Sequence, residues 1–320
     1  MMDYTDRHCR MLLRLISQHT VLYTEMVTAA AIVRGRDPGR LLAFDPAEHP
    51  VVLQIGGSEP SLLATAARAG IAAGYREINL NVGCPSERVT VGRFGACLMI
   101  EPELVADCLK AMSDALGTAV SVKCRIGVDD QDIEHDLDRF IAAISKAGCR
   151  TVIVHARKAW LKGLSPKENR EIPPLDYGRV HRLKRDFPDL TIILNGGLLS
   201  LEAALDVIAT RDGGPALDGA MIGRAAYDDP YMLATADRLF FGDHRQPAMR
   251  AAVLDAYLAY AARETARGAR TAQTLRPLSG LYRGCNGARA WRQTLARVAA
   301  GATSRDALSS VASRLVPLAA

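Results

Sequence analysis

The chain alternates between short apolar segments of strand length and longer segments whose apolar residues recur at helical spacing. Seven such strands are predicted, at residues 21–27, 51–55, 78–82, 119–124, 151–154, 191–194 and 218–222. Repeated strand–helix units favour an α/β fold of the (β/α)₈ TIM-barrel type over an open doubly wound sheet. Met1-Met2-Asp3 would form the tail of the strand that comes first in the chain, so we predict a barrel whose first strand is truncated.

The strand–helix alternation stops near Phe241, and the rest of the chain has the apolar spacing of helices. These helices are predicted at residues 248–263, 275–298 and 306–315. We therefore predict two domains, a catalytic barrel over residues 1–242 and a small all-helical domain over residues 243–320.

Composition restricts the class of protein further. The seven cysteines are widely spaced and form no CxxC pair, which argues for a reducing compartment and against a disulfide framework or a zinc site. No apolar run is long enough to span a membrane, and we expect no signal peptide. We therefore expect a cytoplasmic protein that binds no metal and no membrane. The net charge of +5 does not by itself indicate a nucleic-acid partner.

Cys84 lies just beyond the predicted strand at residues 78–82. Apolar and polar residues alternate in this strand, and Pro85 cannot continue a buried strand ladder. Cys84 is therefore expected at the carboxyl end of a parallel strand, where barrels place their active sites. A free cysteine is more often an inert buried residue, but the strand end, the proline and two nearby asparagines favour a functional one.

Other polar residues follow the remaining strands in the same way. Gln54, Asn81, Lys123, His155, Asn195 and Arg224 all lie at predicted carboxyl ends. Each alone is open to a structural interpretation, as a loop cap or a hydrogen-bonded core histidine. Their common position at one face of the barrel favours an active site there.

Glycines follow the last two predicted strands, in Asn195-Gly196-Gly197 and in Gly223-Arg224. Barrels often bind phosphate at this place, because glycine lets backbone N–H groups approach the oxygens and arginine adds charge. Ordinary turn glycines are the alternative. The pattern predicts a phosphorylated cofactor, and no GxGxxG fingerprint of a nicotinamide-binding fold is present.

Several motifs together resemble the tRNA-dihydrouridine synthase family, and the resemblance covers nearly the whole chain. They are Met1-Met2-Asp3-Tyr4-Thr5-Asp6-Arg7-His8-Cys9-Arg10, Leu80-Asn81-Val82-Gly83-Cys84-Pro85-Ser86, Gly92-Arg93-Phe94-Gly95-Ala96, Val122-Lys123-Cys124-Arg125 and Asn195-Gly196-Gly197. The segment 158–174 and Gly287-Ala288-Arg289-Ala290-Trp291-Arg292 resemble its A-type branch. Family members carry further residues, ending in Ala-Pro, before the equivalent of Met1, which also implies a truncated first strand.

The resemblance implies a flavoenzyme that acts on tRNA. Family members bind FMN and use NADPH to reduce the C5–C6 double bond of a uracil in the tRNA D-loop, at positions 20 and 20a in the A-type branch. Hydride would pass from the flavin to C6, and the Cys84 thiol would protonate C5 as a general acid. Thiols ordinarily titrate near about pH 8.5, so a thiol in this role is mostly protonated at neutral pH and needs no histidine partner.

The resemblance also implies roles for individual residues. The implied flavin contacts are the backbone of Met1 and Met2, together with Gln54, Lys123, His155, Asn195, Gly196, Gly197, Gly223 and Arg224. Lys123 would lie near the N1–O2 edge of the flavin, where positive charge stabilises the reduced form. The implied tRNA contacts are Asn81, which would hold the uracil, and Lys167, Arg170, Arg289 and Arg292.

A buried flavin can reach the target base only if that base is turned out of its stack, so we expect a cationic surface around the site. Residues 157–170 form a long basic loop after the strand that delivers His155. Arg289 and Arg292 are three residues apart, so they share one face of a predicted helix. A solvated charged surface is the alternative for both. We expect tRNA as the partner and a monomeric protein.

Two other functions are compatible with the sequence. Another FMN barrel oxidoreductase, acting on a small pyrimidine, would account for the cofactor site but not for the basic helical domain. A non-catalytic RNA-binding protein would account for the basic surface but not for Cys84, Lys123 and Asn195 together.

Overall fold

The computed structural model describes residues 1–86, 92–210 and 214–317. Contacts divide the chain into two compact units, which we name the sheet unit and the helical unit. The sheet unit comprises residues 23–43 and 51–222, and the helical unit comprises residues 1–22, 44–50 and those from 223 onward. This division groups residues 223–242 with the C-terminal helices. The boundary predicted at residue 242 separates a catalytic barrel from a helical domain, and it stays a prediction.

The main sheet follows the strand order of a (β/α)₈ barrel, which confirms the predicted fold class. Its strands are β1 Leu22–Tyr23, β2 Val27–Thr28, β3 Val51–Gly56, β4 Glu77–Val82, β5 Ser121–Arg125, β6 Thr151–His155, β7 Thr191–Asn195 and β8 Gly219–Met221. From β2 to β8, each strand pairs in parallel with the next strand along the chain. In the part of the chain that the structure describes, the pairing path has two open ends, at β1 and β8.

One strand differs from the prediction. The sequence predicts a single strand over residues 21–27, but the structure has the two short strands β1 and β2 there. The backbone N–H of Gln54 donates to the side-chain oxygen of Thr24 at 3.0 Å instead of to a backbone carbonyl. This side-chain bond interrupts the backbone ladder between the two halves.

Helices alternate with these strands and then continue to the end of the chain. They are α1 Arg7–Ile16, α2 Ala29–Arg34, α3 Pro38–Leu42, α4 Pro60–Ala72, α5 Pro102–Leu116, α6 His135–Lys146, α7 Tyr177–Asp186, α8 Leu201–Ile208, α9 Arg224–Asp228, α10 Ala236–Phe241, α11 Arg250–Ala266, α12 Thr271–Leu275, α13 Ala288–Ala299 and α14 Asp306–Ala312. Short 3₁₀ helices cover Pro46–Glu48, Gly95–Ile100, Glu168–Arg170, Pro230–Thr235 and Arg276–Gly280. None of the described helices is both long and apolar enough to cross a membrane.

In the helical unit, buried polar contacts join α1 to α11, since His8 Nδ1 lies 2.8 Å from the Tyr260 hydroxyl. The helix predicted over residues 275–298 is divided into the 3₁₀ helix Arg276–Gly280, the strand β9 Cys285–Asn286 and α13. Gly284 and Gly287 interrupt the helix because they adopt φ angles of +72° and +85°. β9 pairs antiparallel with β10 Val316–Pro317, so this part of the chain is helical apart from one strand pair.

The first residues of the helical unit do not form the predicted strand tail. The backbone N–H groups of Tyr4 and Thr5 donate to the Met1 carbonyl oxygen at 3.1 and 3.0 Å, which closes a turn. Asp6 then caps α1 by accepting a hydrogen bond from the Cys9 N–H.

Candidate active site

The strand register places the five predicted site residues that lie in strands of the sheet unit on one face of the sheet. Residues two apart on a strand share a face, and register partners on neighbouring strands share it too. The register pairs Gln54 with Asn79, Asn81 with Lys123, Arg125 with His155, and His155 with Asn195. Polar side chains of five consecutive strands therefore converge near their carboxyl ends, as the sequence predicted.

Cys84 lies two residues after the end of β4, and hydrogen bonds to Asn81 hold the backbone there. The Asn81 Oδ1 atom accepts hydrogen bonds from the backbone N–H groups of Gly83 and Cys84 at 3.1 and 3.0 Å. The Cys84 carbonyl oxygen accepts from the Ala96 N–H at 2.9 Å. The half-buried thiol has the Ser86 hydroxyl 3.5 Å away as its hydrogen-bond partner. The backbone at Gly83 and Cys84 is therefore held by hydrogen bonds, while the Cys84 thiol stays partly exposed.

A chain of hydrogen-bonded side chains crosses β3, β4 and β5. Asn79 Nδ2 donates to Ser121 Oγ at 2.9 Å, Gln54 Nε2 donates to Asn79 Oδ1 at 2.9 Å, and Asn81 Nδ2 donates to Gln54 Oε1 at 2.8 Å. The Asn81 Nδ2 group has two N–H donors and uses one of them on Gln54, so one N–H is left for a ligand. The sequence analysis counted Asn79 only as one of two asparagines near Cys84 and did not include it among the candidate site residues.

Burial and neighbouring positive charges lower the pKa values of Lys123 and His155. Burial, followed by the positive charge of Arg125, lowers the pKa of Lys123 to about 8. Burial also holds the pKa of His155 well below its usual value, followed by the charges of Arg125 and Lys123, so the imidazole is neutral at neutral pH. Among the described residues, none of the charges that shift the pKa of Lys123 belongs to a carboxylate. The site therefore carries positive charge that its own carboxylates do not balance.

Arg125 connects the Cys84 loop to the long basic loop. The side chain is 3 % exposed, and burial lowers its pKa to about 10, so it keeps its charge at neutral pH. Its Nε donates to the Gly83 carbonyl oxygen at 3.2 Å, and its Nη1 donates to the carbonyl oxygens of Asn169 and Lys158 at 2.9 and 3.2 Å. The sequence analysis used this arginine only as part of a motif.

The turn after β7 is tight. Gly196 and Gly197 have φ angles of +113° and +72°, and a Cβ atom on Gly196 would collide with the His155 ring. The Gly196 carbonyl oxygen accepts a hydrogen bond from the Tyr177 hydroxyl at 2.8 Å, and Asn195 Nδ2 donates to the Met221 carbonyl oxygen at 2.8 Å. Glycine is therefore required at position 196 for packing against His155, independently of any ligand.

The basic loop brings two cations, Arg157 and Arg170, close to Arg125 and His155. Arg170 is half-buried and its charge lowers the pKa of both Arg125 and His155. Its Nε atom is buried without a hydrogen-bond partner, whereas Lys167 is exposed.

The other predicted site residues belong to the helical unit, and their roles stay predictions. They are Met1, Met2, Gly223, Arg224, Arg289 and Arg292. Arg224 begins α9, and the sulfur of Met1 lies near Gly223. Arg289 and Arg292 are exposed on α13, whose buried residues include Trp291. Arg292 also lines a cavity of about 290 Å³ in this unit.

Comparison with known proteins identifies the family. The family model described as Dihydrouridine synthase (Dus) matches residues 1–315. The tRNA-dihydrouridine(20/20a) synthase of Salmonella typhimurium LT2 is 52 % identical over 99 % of this chain and 93 % of its own length. The proteins of the same name are 53 % identical in Escherichia coli K12, over 92 % of this chain and 84 % of that protein, and 51 % identical in Vibrio vulnificus CMCP6, over 92 % and 88 %.

A solved structure supports the barrel fold alone. Histamine dehydrogenase from Rhizobium sp. 4-9 matches with a TM-score of 0.50 and 13 % sequence identity, over 76 % of this chain and 45 % of that one. The sequence relatives are far closer, and they decide the assignment. The chain belongs to the dihydrouridine synthase family, and it is an oxidoreductase that reduces uridine to dihydrouridine in tRNA.

Proposed function

We propose that the protein is a flavin-dependent tRNA-dihydrouridine synthase that uses FMN and NADPH and acts on uridines 20 and 20a of the D-loop. The observation that carries this proposal is the convergence of Cys84 with Lys123 and Asn81 at the carboxyl ends of neighbouring strands. The two positions are supported by the name of the relatives, tRNA-dihydrouridine(20/20a) synthase.

The residues present fit a bound flavin. Lys123 offers a charge without a balancing carboxylate, which suits the anionic edge of a reduced flavin. Gln54 uses one N–H and one lone pair within the side-chain chain, so one donor and one acceptor are left for a flavin ring. We assign the flavin ring to Gln54, Lys123 and His155. We assign its phosphate group to Asn195-Gly196-Gly197 and Gly223-Arg224, and further backbone contacts to Met1 and Met2.

Bound FMN would supply the hydride that adds to C6 of the uracil. The remaining N–H of Asn81 would donate to a uracil carbonyl oxygen and orient the ring. The Cys84 thiol would then give its proton to C5, which carries the electron pair after hydride addition, and the thiolate would recover a proton from solvent. Lys123 and Arg125 favour this sequence because they stabilise the developing negative charge. His155, being neutral, would act through hydrogen bonds.

The tRNA would be held by cations around this site. We assign contacts with it to Lys167 and Arg170 of the basic loop and to Arg289 and Arg292 of α13. All seven cysteines are free thiols, which is consistent with our proposal of a cytoplasmic enzyme. We further propose that it works as a monomer without a metal ion.

The decisive test is the Cys84→Ala variant with unmodified tRNA and NADPH. General acids typically contribute about 10²–10⁴-fold, so turnover should fall by that order while FMN and tRNA binding persist. Cys97→Ala is the matched control, because Cys97 is also a half-buried free thiol. Mass spectrometry of digested tRNA would locate the dihydrouridine.

Two outcomes would contradict the proposal. Near-normal single-turnover reduction by Cys84→Ala would remove the proton-donor role from this thiol. A wild-type protein that oxidises NADPH with a small pyrimidine but leaves tRNA unmodified would identify a different flavin oxidoreductase.

A further inference from the structure

The two tryptophans of the chain lie in opposite environments. Trp291 is fully buried, and its indole N–H donates to the Leu278 carbonyl oxygen at 2.8 Å. Trp160 lies in the basic loop and is 38 % exposed. Single exposed apolar residues are common on protein surfaces, so exposure alone assigns no role to Trp160.

The backbone of Trp160 is held from both sides by one buried side chain. Asn169 is fully buried, and its Oδ1 accepts from the Trp160 N–H at 2.7 Å while its Nδ2 donates to the Trp160 carbonyl oxygen at 2.8 Å. The flanking residues are fixed too, since the Ala159 N–H donates to the Gly127 carbonyl oxygen and the Leu161 N–H to Asp129. The loop therefore presents an exposed ring on a preorganised backbone, which lowers the entropy cost of binding.

Further hydrogen bonds connect the Trp160 segment to the backbone beside Cys84. The Asn169 carbonyl oxygen accepts from Arg125, which also binds the carbonyl oxygen of Gly83, the residue before Cys84. Arg170, directly after Asn169, acts electrostatically on Arg125. The backbone of Trp160 is thus connected to the backbone beside Cys84 through a short series of hydrogen bonds within one compact unit.

The charge around the ring indicates what it binds. The Lys158 ammonium lies 5.8 Å from the centre of the Trp160 ring, and Lys162 and Lys167 are exposed in the same loop. Single-stranded nucleic acid is bound by this combination, in which cations contact phosphates and an aromatic ring stacks on a base. When the target uridine leaves the stack, the base next to it loses a stacking partner. The Trp160 ring would give that base a new one.

We infer that Trp160 is a base-stacking residue that receives an unstacked base of the bound tRNA. The inference rests on the proposed function and adds to it a contact that is independent of the uracil pocket. Asn169 is the positioning residue for this ring.

Binding of unmodified tRNA to Trp160→Ala and Trp160→Phe tests the inference. Stacking of one base on an aromatic side chain corresponds to about a 5- to 140-fold change in Kd, so the alanine variant should lose that much affinity. The phenylalanine variant should keep most of it, and FMN content should not change in either. Ile71→Ala is the matched control because Ile71 has the same 38 % exposure but ends α4, just before β4 begins. Equal affinity of the alanine variant and wild type would overturn the inference.

Tryptophan fluorescence gives a second readout. A base stacked on an exposed indole should quench its emission, whereas the buried Trp291 should respond little. We expect tRNA to quench wild-type emission and to leave Trp160→Phe nearly unquenched, and equal quenching in both proteins would overturn the inference. If wild type binds no tRNA at all, the proposed function fails together with the inference. If wild type binds tRNA but shows neither effect, only the stacking role fails.

Discussion

Lys123 lies in the middle of β5, where burial disfavours its positive charge. Burial is the main cause of its lowered pKa, about 8, and Arg125 is the second. A shift of this size from the ordinary value of about 10.4 corresponds to roughly 3 kcal/mol of lost native-state stability at neutral pH. Charged groups with strongly shifted pKa values are typical of functional sites. An anionic ligand beside Lys123 would relieve this strain.

We therefore predict that Lys123→Met stabilises the flavin-free protein and weakens FMN binding. The pKa of Lys123 is lower in the folded than in the unfolded state. The destabilisation is therefore fully present below about pH 8 and disappears as the pH rises from about 8 to about 10.4. The variant should gain up to about 3 kcal/mol of unfolding free energy at pH 7 and less at pH 9. Denaturant unfolding of both flavin-free proteins at the two pH values measures this, and flavin absorbance measures FMN retention.

Lys146→Met is the control for the loss of one lysine. Lys146 is exposed at the end of α6, so its replacement should change neither stability nor FMN content appreciably. A Lys123→Met variant that is less stable than wild type at pH 7, or whose advantage grows with pH, would show that the charge is not the source of strain.

At the scale of elements, regular patterns were predicted well and interruptions were not. The predictions for β3, at residues 51–55, and for β6, at residues 151–154, each differ from the structure by one residue. The helix predicted over residues 275–298 was wrong because its glycines adopt positive φ. The strand predicted over residues 21–27 was wrong because a tertiary hydrogen bond divides it, and neither cause is visible in apolar periodicity.

Some residues of the candidate site could likewise be predicted from the sequence, and others could not. Polar residues directly after an apolar run, such as Gln54 and His155, could be located from sequence because parallel strands end at a common edge. Arg125 and Asn169 could not, because their partners are backbone carbonyl and N–H groups, which any residue type supplies. Only the tertiary structure shows that these two side chains join the loops.

We predict that Arg125→Met loosens the basic loop and lowers turnover. Removing the guanidinium leaves three carbonyl oxygens without their partner, including those of Gly83 and Asn169. Breaking such buried bonds typically costs about 1–3 kcal/mol, so the unfolding free energy should fall by that order. Hydrogen exchange in residues 157–170 should become faster, and kcat should fall more than KM rises, because the Cys84 loop loses its anchor.

Arg125→Lys and Arg139→Met separate the possible causes. Lysine keeps the charge but cannot make the forked bonds, so it should restore little loop protection. Arg139 is exposed on α6, and its replacement should affect neither exchange nor turnover. If Arg125→Lys fully restores turnover, Arg125 acts through its charge instead of through its hydrogen bonds.

For the whole molecule, the placement of charge is more informative than the total of +5. The sheet unit presents Lys167 and Arg170 in one loop, and the helical unit presents Arg289 and Arg292 on one face of α13. The buried residues of α13 are Trp291, Leu295 and Val298. Arg289 and Arg292 are exposed on the same helix, so they are available to a partner. A tRNA that contacts both sets should show a strongly salt-dependent affinity.

We predict that the double variant Arg289→Ala/Arg292→Ala binds tRNA more weakly and keeps its FMN. Each lost phosphate contact should flatten the slope of log K against log salt concentration by about 0.7–0.9. Arg297→Ala is the control on the same helix, since Arg297 lies about 140° around the helix axis from Arg292 and about 80° from Arg289, whereas those two are about 60° apart. Filter binding across a salt series measures the slopes, and digestion with mass spectrometry shows which uridine is reduced. An unchanged affinity and slope would mean that the face is only solvated surface. A weaker affinity with reduction still at the same uridines would mean that the two arginines contribute binding energy without choosing the position.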